Sequence, residues 1–387
     1  MNSCLEVLCV AKNLPGYYNY NMIKNNHEYR QYAAFINREI ELRALKTYID
    51  KEPAEILFLH GPKSSGKTTL LYKFFDQIQK EQRLDVKFLD LRKTFTNVYE
   101  DFLKTFFHVE TRGEKKESLA SNLNIGFFKI DAAVERKILE KRADPFKIME
   151  AEFLDLTREG IKPVLIIDEL QALEKIYLDN DKERQLITAL FNFFVAMTKQ
   201  AHLAHIIIAS SDGYFLNTVY IDSRLKKSST FYKVDYLAKE DVMEWLLNLE
   251  KYSKIKDYSL TAADAGKIWE TVGGSMWEIQ DILSQLFEHP IDKVLTGYKQ
   301  KMLNMIAFYA AQKEREKREK ILKRFVHDEY LWVSDTVEED QALLKDMVTH
   351  NILYFDPVRA VYYPQGESYY WGIRLYFESL KSNRKKK

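Results

Sequence analysis

One stretch limits what this chain can fold into more than any other. It is Gly61-Pro62-Lys63-Ser64-Ser65-Gly66-Lys67-Thr68, set directly behind the apolar run Ile56-Leu57-Phe58-Leu59. The spacing fits G-x-x-x-x-G-K-[ST], a phosphate-binding loop between a strand and a helix. Each residue type has a physical reason. Gly61 and Gly66 let the loop curl so that backbone N–H groups face inward onto phosphates. The helix expected over 67–81 adds the positive end of its dipole. Lys67 reaches the β- and γ-phosphates, and the Thr68 hydroxyl ligates Mg²⁺. The whole loop from Gly61 through Pro62, Lys63, Ser64, Ser65 and Gly66, with Thr69 behind it, is therefore expected to hold a nucleoside triphosphate. The chain has only 13 glycines in 387 residues, so two at these positions weigh more than they would elsewhere.

A second signal lies at Val164-Leu165-Ile166-Ile167-Asp168-Glu169. Four apolar residues followed by two acids suit a buried strand that ends at a site, the Walker B pattern. Asp168 would hold Mg²⁺ directly or through water, and Glu169 would polarise the attacking water as general base. A third run, His205-Ile206-Ile207-Ile208-Ala209, ends in Ser210-Ser211. Ser211 is placed to sense a γ-phosphate, while helix capping by Ser210, Ser211 or Asp212 is an equal alternative. Arg224, just beyond, is a candidate for γ-phosphate contact in cis or in trans. The catalytic set expected is thus Glu169, Lys67, Arg224 and Ser211. His202 and His205 are close, but the second sits in an apolar strand, so a structural histidine is the better reading than zinc.

The wider pattern gives the fold class. Apolar runs at 56–59, 86–91, 164–167, 205–209 and 231–234 alternate with helical segments at 97–107, 145–159 and 182–200. Continuous runs separated by helices mark a parallel sheet covered on both faces. Another helix is expected over 37–50 with Asn37 as its N-cap. Helical patterns at 240–249, 262–271 and 276–287 suggest a small lid. Residues 291–325 read as one or two long helices, with Lys313–Lys320 a solvated face braced by Glu314–Arg318 and Glu316–Lys320 pairs. A helix at 341–348 and a hairpin over 352–363 suggest a winged helix. The expected division is a lead-in 1–35, an α/β core 36–237, a lid 238–290 and a C-terminal unit 291–387.

Composition narrows the class further. Lys plus Arg total 58 against 57 for Asp plus Glu, a formal charge of +1, which excludes a chain-wide nucleic-acid coat. Cys4 and Cys9 are the only cysteines, too few for a disulfide scaffold. With no leader pattern and no apolar run near the bilayer length, a cytoplasmic protein is expected. The tail Arg384-Lys385-Lys386-Lys387 reads as a solvated end.

Four blocks together resemble the archaeal ATPase family of P-loop proteins, in the STAND class related to AAA+. They are Phe35-Ile36-Asn37-Arg38-Glu39 with Leu42, the P-loop, Ile167-Asp168-Glu169-Leu170-Gln171, and Asn351-Ile352-Leu353-Tyr354-Phe355-Asp356-Pro357. The resemblance implies an ASCE-type P-loop NTPase with about five parallel strands in the order 5-1-4-3-2, a helical lid and a C-terminal winged helix. It also implies that Arg38 lies near the adenine. Two departures stand out. Ser223-Arg224 occurs where relatives commonly carry Gly-Arg, and Gly273-Gly274-Ser275-Met276 lacks the proline of Gly-Gly-x-Pro. The expected function is Mg²⁺-dependent ATP hydrolysis to ADP and phosphate by a switch whose winged helix contacts duplex DNA or a protein. A nucleotide-dependent homo-oligomer is compatible with this. The alternative is a nucleotide-binding regulator with negligible turnover.

Overall fold

The computed structural model describes residues 35–93, 96–109, 128–140, 143–179, 181–222, 225–253, 255 and 258–385. The lead-in up to residue 34, much of the segment 111–142 and Arg224 lie outside the described residues.

Five strands form the central sheet: β1 Ile56–His60, β2 Leu84–Asp90, β3 Lys162–Asp168, β4 His205–Ser210 and β5 Ser229–Lys233. They lie in the order β2-β3-β4-β1-β5, and every neighbouring pair is parallel. The apolar runs explain this arrangement. Alternate residues of a strand point to opposite faces, so a fully apolar strand needs cover on both. Ile56, Phe58, Leu165, Ile167, Ile206 and Ile208 face helices Pro145–Arg158 and Leu186–Val195. Leu57, Leu59, Val164, Ile166, Ile207 and Ala209 face Leu45, Ile49, Leu70 and Phe74 of helices Glu39–Asp50 and Lys67–Ile78. Because all five strands run the same way, their C-terminal ends share one edge of the sheet, where ligands bind in open α/β folds.

Several elements differ from expectation, each for a local reason. The first helix begins at Glu39 with Arg38 at its N-cap. Asn37 has φ +45° and instead donates its side-chain amide to Asp241 of the lid. The helix expected over 182–200 starts at Leu186 and ends in a π turn, Ala196–Gln200. The segment after Phe106 contributes a short parallel pair, Phe107–Val109 with Phe128–Ile130, its Phe128 packed against Phe153.

Helices Lys239–Leu247, Leu249–Ser253, Ala262–Val272 and Met276–Gln285 form the lid around the fully buried Trp245. Ile36 packs into this same cluster, so the segment ahead of the sheet is tied to the lid. Helices Ile291–Ala310 and Arg315–Arg324 follow. The charged run is only partly solvated. Arg318 turns inward, donates to Asp346 Oδ2 at 2.6 Å and lies over the Tyr309 ring, while Glu314 pairs with Lys317 rather than Arg318. Helix Gln341–Thr349 precedes a three-stranded antiparallel sheet ordered Leu331–Trp332, Val361–Pro364, Leu353–Asp356. This is a winged-helix arrangement. Its hairpin turn is set by Asp356, whose Oδ1 accepts from the backbone N–H of Val358 and Arg359. A last helix, Glu367–Lys385, was not legible in the sequence. Its buried side is rich in tyrosine and it packs along Ile291–Ala310, with Gly372 against the Met302 backbone. No helix among the described residues is long and apolar enough to cross a membrane.

Candidate active site

The loop after β1 takes the curled form its glycines require. Gly61 has φ +152°, and a Cβ there would sit 2.0 Å from the Val234 carbonyl oxygen. Gly66 has φ +91° and stands at the N-cap of the helix that begins at Lys67. Lys67 folds back over the loop, donating from Nζ to the carbonyls of Gly61 and Pro62, both at 2.8 Å. Burial lowers the Lys67 ammonium to about 7; Asp168 and Asp235 work against the shift and Arg92 adds to it. A phosphate anion in the loop would favour the charged form. Lys63 is exposed at the outer turn, Ser65 is buried, and Ser64, Thr68 and Thr69 are half-buried.

The ends of β2, β3 and β4 bring the second group together. Thr68 Oγ1 donates to Asp168 Oδ2 at 2.6 Å. Asp168 is fully buried, and its Oδ1 has no hydrogen-bond partner. Burial raises this carboxyl above the usual range, with Arg92, Thr68 and Lys67 opposing and Asp90 adding to it. Glu169 follows with φ +64° and ψ +46°, a backbone that residues with a side chain rarely adopt and that tends to persist at working sites. Its N–H is held by Ala209 O at 2.8 Å. Its carboxylate is almost fully enclosed: Arg92 pairs with Oε1, Gln171 donates to Oε2, and Ser211 Oγ donates to Oε1 at 3.3 Å.

The two readings of the β4 tip therefore divide between residues. Ser211 faces Glu169, whereas capping falls to its neighbours. Ser210 Oγ accepts from Asp212 N–H, and Asp212 accepts from the N–H groups of Tyr214 and Phe215 at the head of helix Gly213–Ile221. The histidines stand apart at the opposite edge of the sheet. His202 bonds the Pro53 carbonyl and His205 packs edge-on to Tyr48.

Three residues brace the loop from outside. Arg38 donates through Nη2 to Ser65 O at 2.9 Å and to Asp235 O at 2.7 Å, and through Nη1 to Glu41 at 2.7 Å. Tyr236 OH bonds both Lys63 O and Gln365 O at 2.9 Å. Met276, the first residue of its lid helix, places Sδ 3.1 Å from where a Gly66 Cβ would be. The position without the expected proline thus still reaches the loop.

The other flank is built by the wing. His60 Nδ1, at the end of β1, and the Tyr354 hydroxyl are hydrogen-bonded at 3.1 Å, both buried. Lys233 Nζ lies 2.6 Å from Asp235 and 3.6 Å from Asp356 Oδ2. Beside the loop, Gly213 admits the wing: a Cβ there would be 2.1 Å from Phe355 O. Tyr214 stacks on Phe355 and bonds Tyr362 at 3.0 Å.

A family described as an ATPase domain predominantly from Archaea matches residues 35–282, which hold the P-loop, β3 and most of the lid. The chain belongs to this family. An uncharacterised ATP-binding protein of Methanocaldococcus jannaschii is 31% identical over 362 residues, 90% of this chain and 96% of that one. Another, of Pyrococcus abyssi, is 30% identical over 351 residues, 90% and 99% of the two chains. Among solved structures, a Walker-type ATPase of Pyrococcus abyssi superposes with a TM-score of 0.57 at 15% identity, covering 88% of this chain and 96% of that one, which shows the fold.

For this member of the archaeal ATPase family, the most informative residue missed in the sequence is Arg92. It lies two positions past β2, and no motif marks it. The strand order could have found it, because β2 neighbours β3 and the turn after Asp90 must then lie beside Asp168 and Glu169. Tyr236 and Tyr354 were missed for a different reason: each acts across a long sequence separation, and a tyrosine carries no spacing signal.

Proposed function

We propose that the chain binds Mg·ATP on the Gly61–Thr69 loop and hydrolyses it to ADP and phosphate, as a switch whose winged helix is the element that moves. The observation that carries this reading is the buried Asp168. One carboxylate oxygen is held by Thr68 and the other has no partner, beside an enclosed Glu169. An orphaned buried carboxylate oxygen is costly on its own, and a hydroxyl and carboxylate side by side are the hard oxygen donors that suit Mg²⁺. Thr68 and Asp168 would hold the cation, which supplies charge neutralisation on the phosphate oxygens.

The chain's own residues supply the rest. Backbone N–H groups of the loop and the helix N-terminus orient the triphosphate, and Lys67 leaves the Gly61 and Pro62 carbonyls for its oxygens. Glu169 accepts a proton from the attacking water. The water oxygen bonds to the γ-phosphorus, and the bond to the bridging β–γ oxygen breaks to leave ADP. Ser211 positions the Glu169 carboxylate or the γ-phosphate. Arg92 holds Glu169 by an ion pair that must loosen before the carboxylate can take the proton. Arg38 fixes the P-loop backbone at Ser65, and Arg224 is retained as a γ-phosphate contact.

The winged helix fits a protein-facing role better than DNA reading. Residues 335–349 hold the acids Asp335, Glu338, Glu339, Asp340 and Asp346 with Lys345 as the one lysine or arginine in that stretch. Arg318 pairs with Asp346 from the neighbouring helix, and the acidic excess opposes a phosphate backbone. The same helix and hairpin rest on Gly213–Ile221 and on the end of β1.

The test is single-turnover and steady-state ATP hydrolysis by wild type and Glu169→Gln. The variant should bind ATP with unchanged affinity and lose about 10²-fold or more in rate. Wild-type turnover no faster than a heat-denatured control would instead establish the regulator without hydrolysis.

A further inference from the structure

A cavity of about 380 Å³ lies where the lid meets the last helix. It is lined by Trp269, Glu270, Gly273, Glu367 and Trp371. Helix Ala262–Val272 supplies Trp269 and Glu270, and helix Glu367–Lys385 supplies Glu367 and Trp371. The two helices are pinned together at the cavity by Trp371 Nε1, which donates to Glu270 O at 2.6 Å. Gly273, with φ +58° and ψ −140°, keeps the floor open, since a Cβ there would come 3.2 Å from Glu367 Cβ.

The lining has one chemistry. Indole faces carry negative potential, and so do the carboxylates. Trp371 already has the Lys299 ammonium 4.0 Å from its ring centroid, so this ring is used as a cation acceptor. Glu367 is half-buried, and among the described residues it makes no hydrogen bond or ion pair. Burial raises its pKa, with Arg374 opposing and Glu329 adding to the shift.

We propose that this pocket, lined by Trp269, Trp371, Glu270 and Glu367, is a binding site for an organic cation, with a planar guanidinium as the best fit. A guanidinium stacks flat on indole and bonds a carboxylate through paired N–H groups, which an ammonium cannot do as well. The occupant would bridge the lid to the C-terminal helix. Gly274 and Met276, which contact Leu237 and the P-loop glycine, lie one and three residues beyond the cavity floor. Occupancy would therefore bias the lid position, whereas binding itself is independent of whether ATP is turned over.

The experiment uses the full chain labelled with fluorotryptophan and followed by fluorine NMR, with the five indole signals assigned through Trp→Phe variants. Argininamide, an Ala-Arg-Ala amide and a free aliphatic diamine are titrated separately. Nα-acetyl-citrullinamide, in which a neutral urea takes the place of the guanidinium and the amine is blocked, is the control, and argininamide is used as its Nα-acetyl form. The expected result is a saturable shift confined to Trp269 and Trp371 with the cations and none with citrullinamide, weakened roughly tenfold in Glu367→Gln. Trp269→Leu gives a second loss of binding should Glu367→Gln prove unstable. Tighter binding of the peptide assigns the occupant to a partner's arginine, tighter binding of argininamide assigns it to a free guanidinium compound, and tighter binding of the diamine overturns the guanidinium reading. The absence of a saturable shift, an equal response to citrullinamide, or undiminished affinity in both folded variants overturns the site.

Discussion

Two polar clusters flank the P-loop, and they are built differently. On one side Thr68, Asp168, Glu169, Arg92 and Ser211 stand on or just beyond the ends of adjacent strands, β2, β3 and β4, or on the helix behind the loop. On the other, His60 and Lys233 meet Tyr354 and Asp356 from a hairpin 294 positions past His60. In the first cluster Asp168 Oδ1 and the Oε1 of Gln171, whose amide holds Glu169, are buried without a hydrogen bond. In the second, Asp356 Oδ2, Tyr363 OH and Gln365 Oε1 are all buried without a hydrogen bond. A buried polar atom left unpaired costs on the order of 1–3 kcal/mol, which solvent would return on opening. Both clusters carry such a cost, the first at adjacent strand ends beside the loop and the second across the seam between the wing and the sheet.

Acid should act on the second cluster through His60, and on the far edge of the sheet through His205. Burial lowers both His60 and His205 to about 4, below the ordinary 6.5, with the Asp356 charge opposing the shift at His60. Between those values the unfolded chain binds more protons than the folded one. The share of stability set by these two histidines therefore rises with pH from about 4 to 6.5 and is level above it, while Lys67, lowered to about 7, adds a further rise above pH 7. Each histidine contributes up to about 1.4 kcal/mol per pH unit within that window. Urea midpoints across the range should show this slope, and His60→Gln should flatten it by a measurable share. An unchanged slope would detach the wing from the acid response.

Arg92→Ala tests the first cluster from within. Freed of its ion pair, Glu169 should be more available as a base. ATP turnover should rise several-fold to about tenfold, with ATP affinity little changed, as read by initial rates. A fall in rate would mean that Arg92 works on the phosphate and does not restrain Glu169.

Tyr354→Phe removes one hydroxyl from the wing contact. About 1 kcal/mol of stability should be lost, visible as a lower Tm, and bound ADP should exchange faster in a fluorescent-nucleotide chase. Loss of stability without faster exchange would show a wing that packs but does not report on the nucleotide. The smallest effect is expected at Met276. Proline suits the first turn of a helix. Met276→Pro should leave Tm nearly unchanged and shift ATP affinity by less than about tenfold, measured by calorimetry. A larger loss would give the Met276 sulfur a specific place over the loop.

Much of the first cluster could be read along the chain. The P-loop, the acids closing β3 and the polar tip of β4 are all local, because a strand that ends at a site announces itself as an apolar run followed by polar residues. Boundaries suffered where a residue answers to a distant partner. Asn37 left its capping position for Asp241, and Arg318 left the solvated face for Asp346. Helix Glu367–Lys385 escaped notice because its aromatic side blurs the helical period, and Arg92 because one arginine in a turn has no pattern to mark it.

The sequence by itself determined the chemistry-bearing turn, the parallel sheet and the family, since these follow from glycine geometry, strand periodicity and short motifs. The tertiary structure alone decided what Glu169 is paired with, what seals the far side of the P-loop and that a Trp-lined cavity exists at the base of the lid. Those are contacts between residues far apart in the chain. They are set by how the lid and the wing pack onto the sheet, a balance of many weak burial and hydrogen-bond terms that no local spacing encodes.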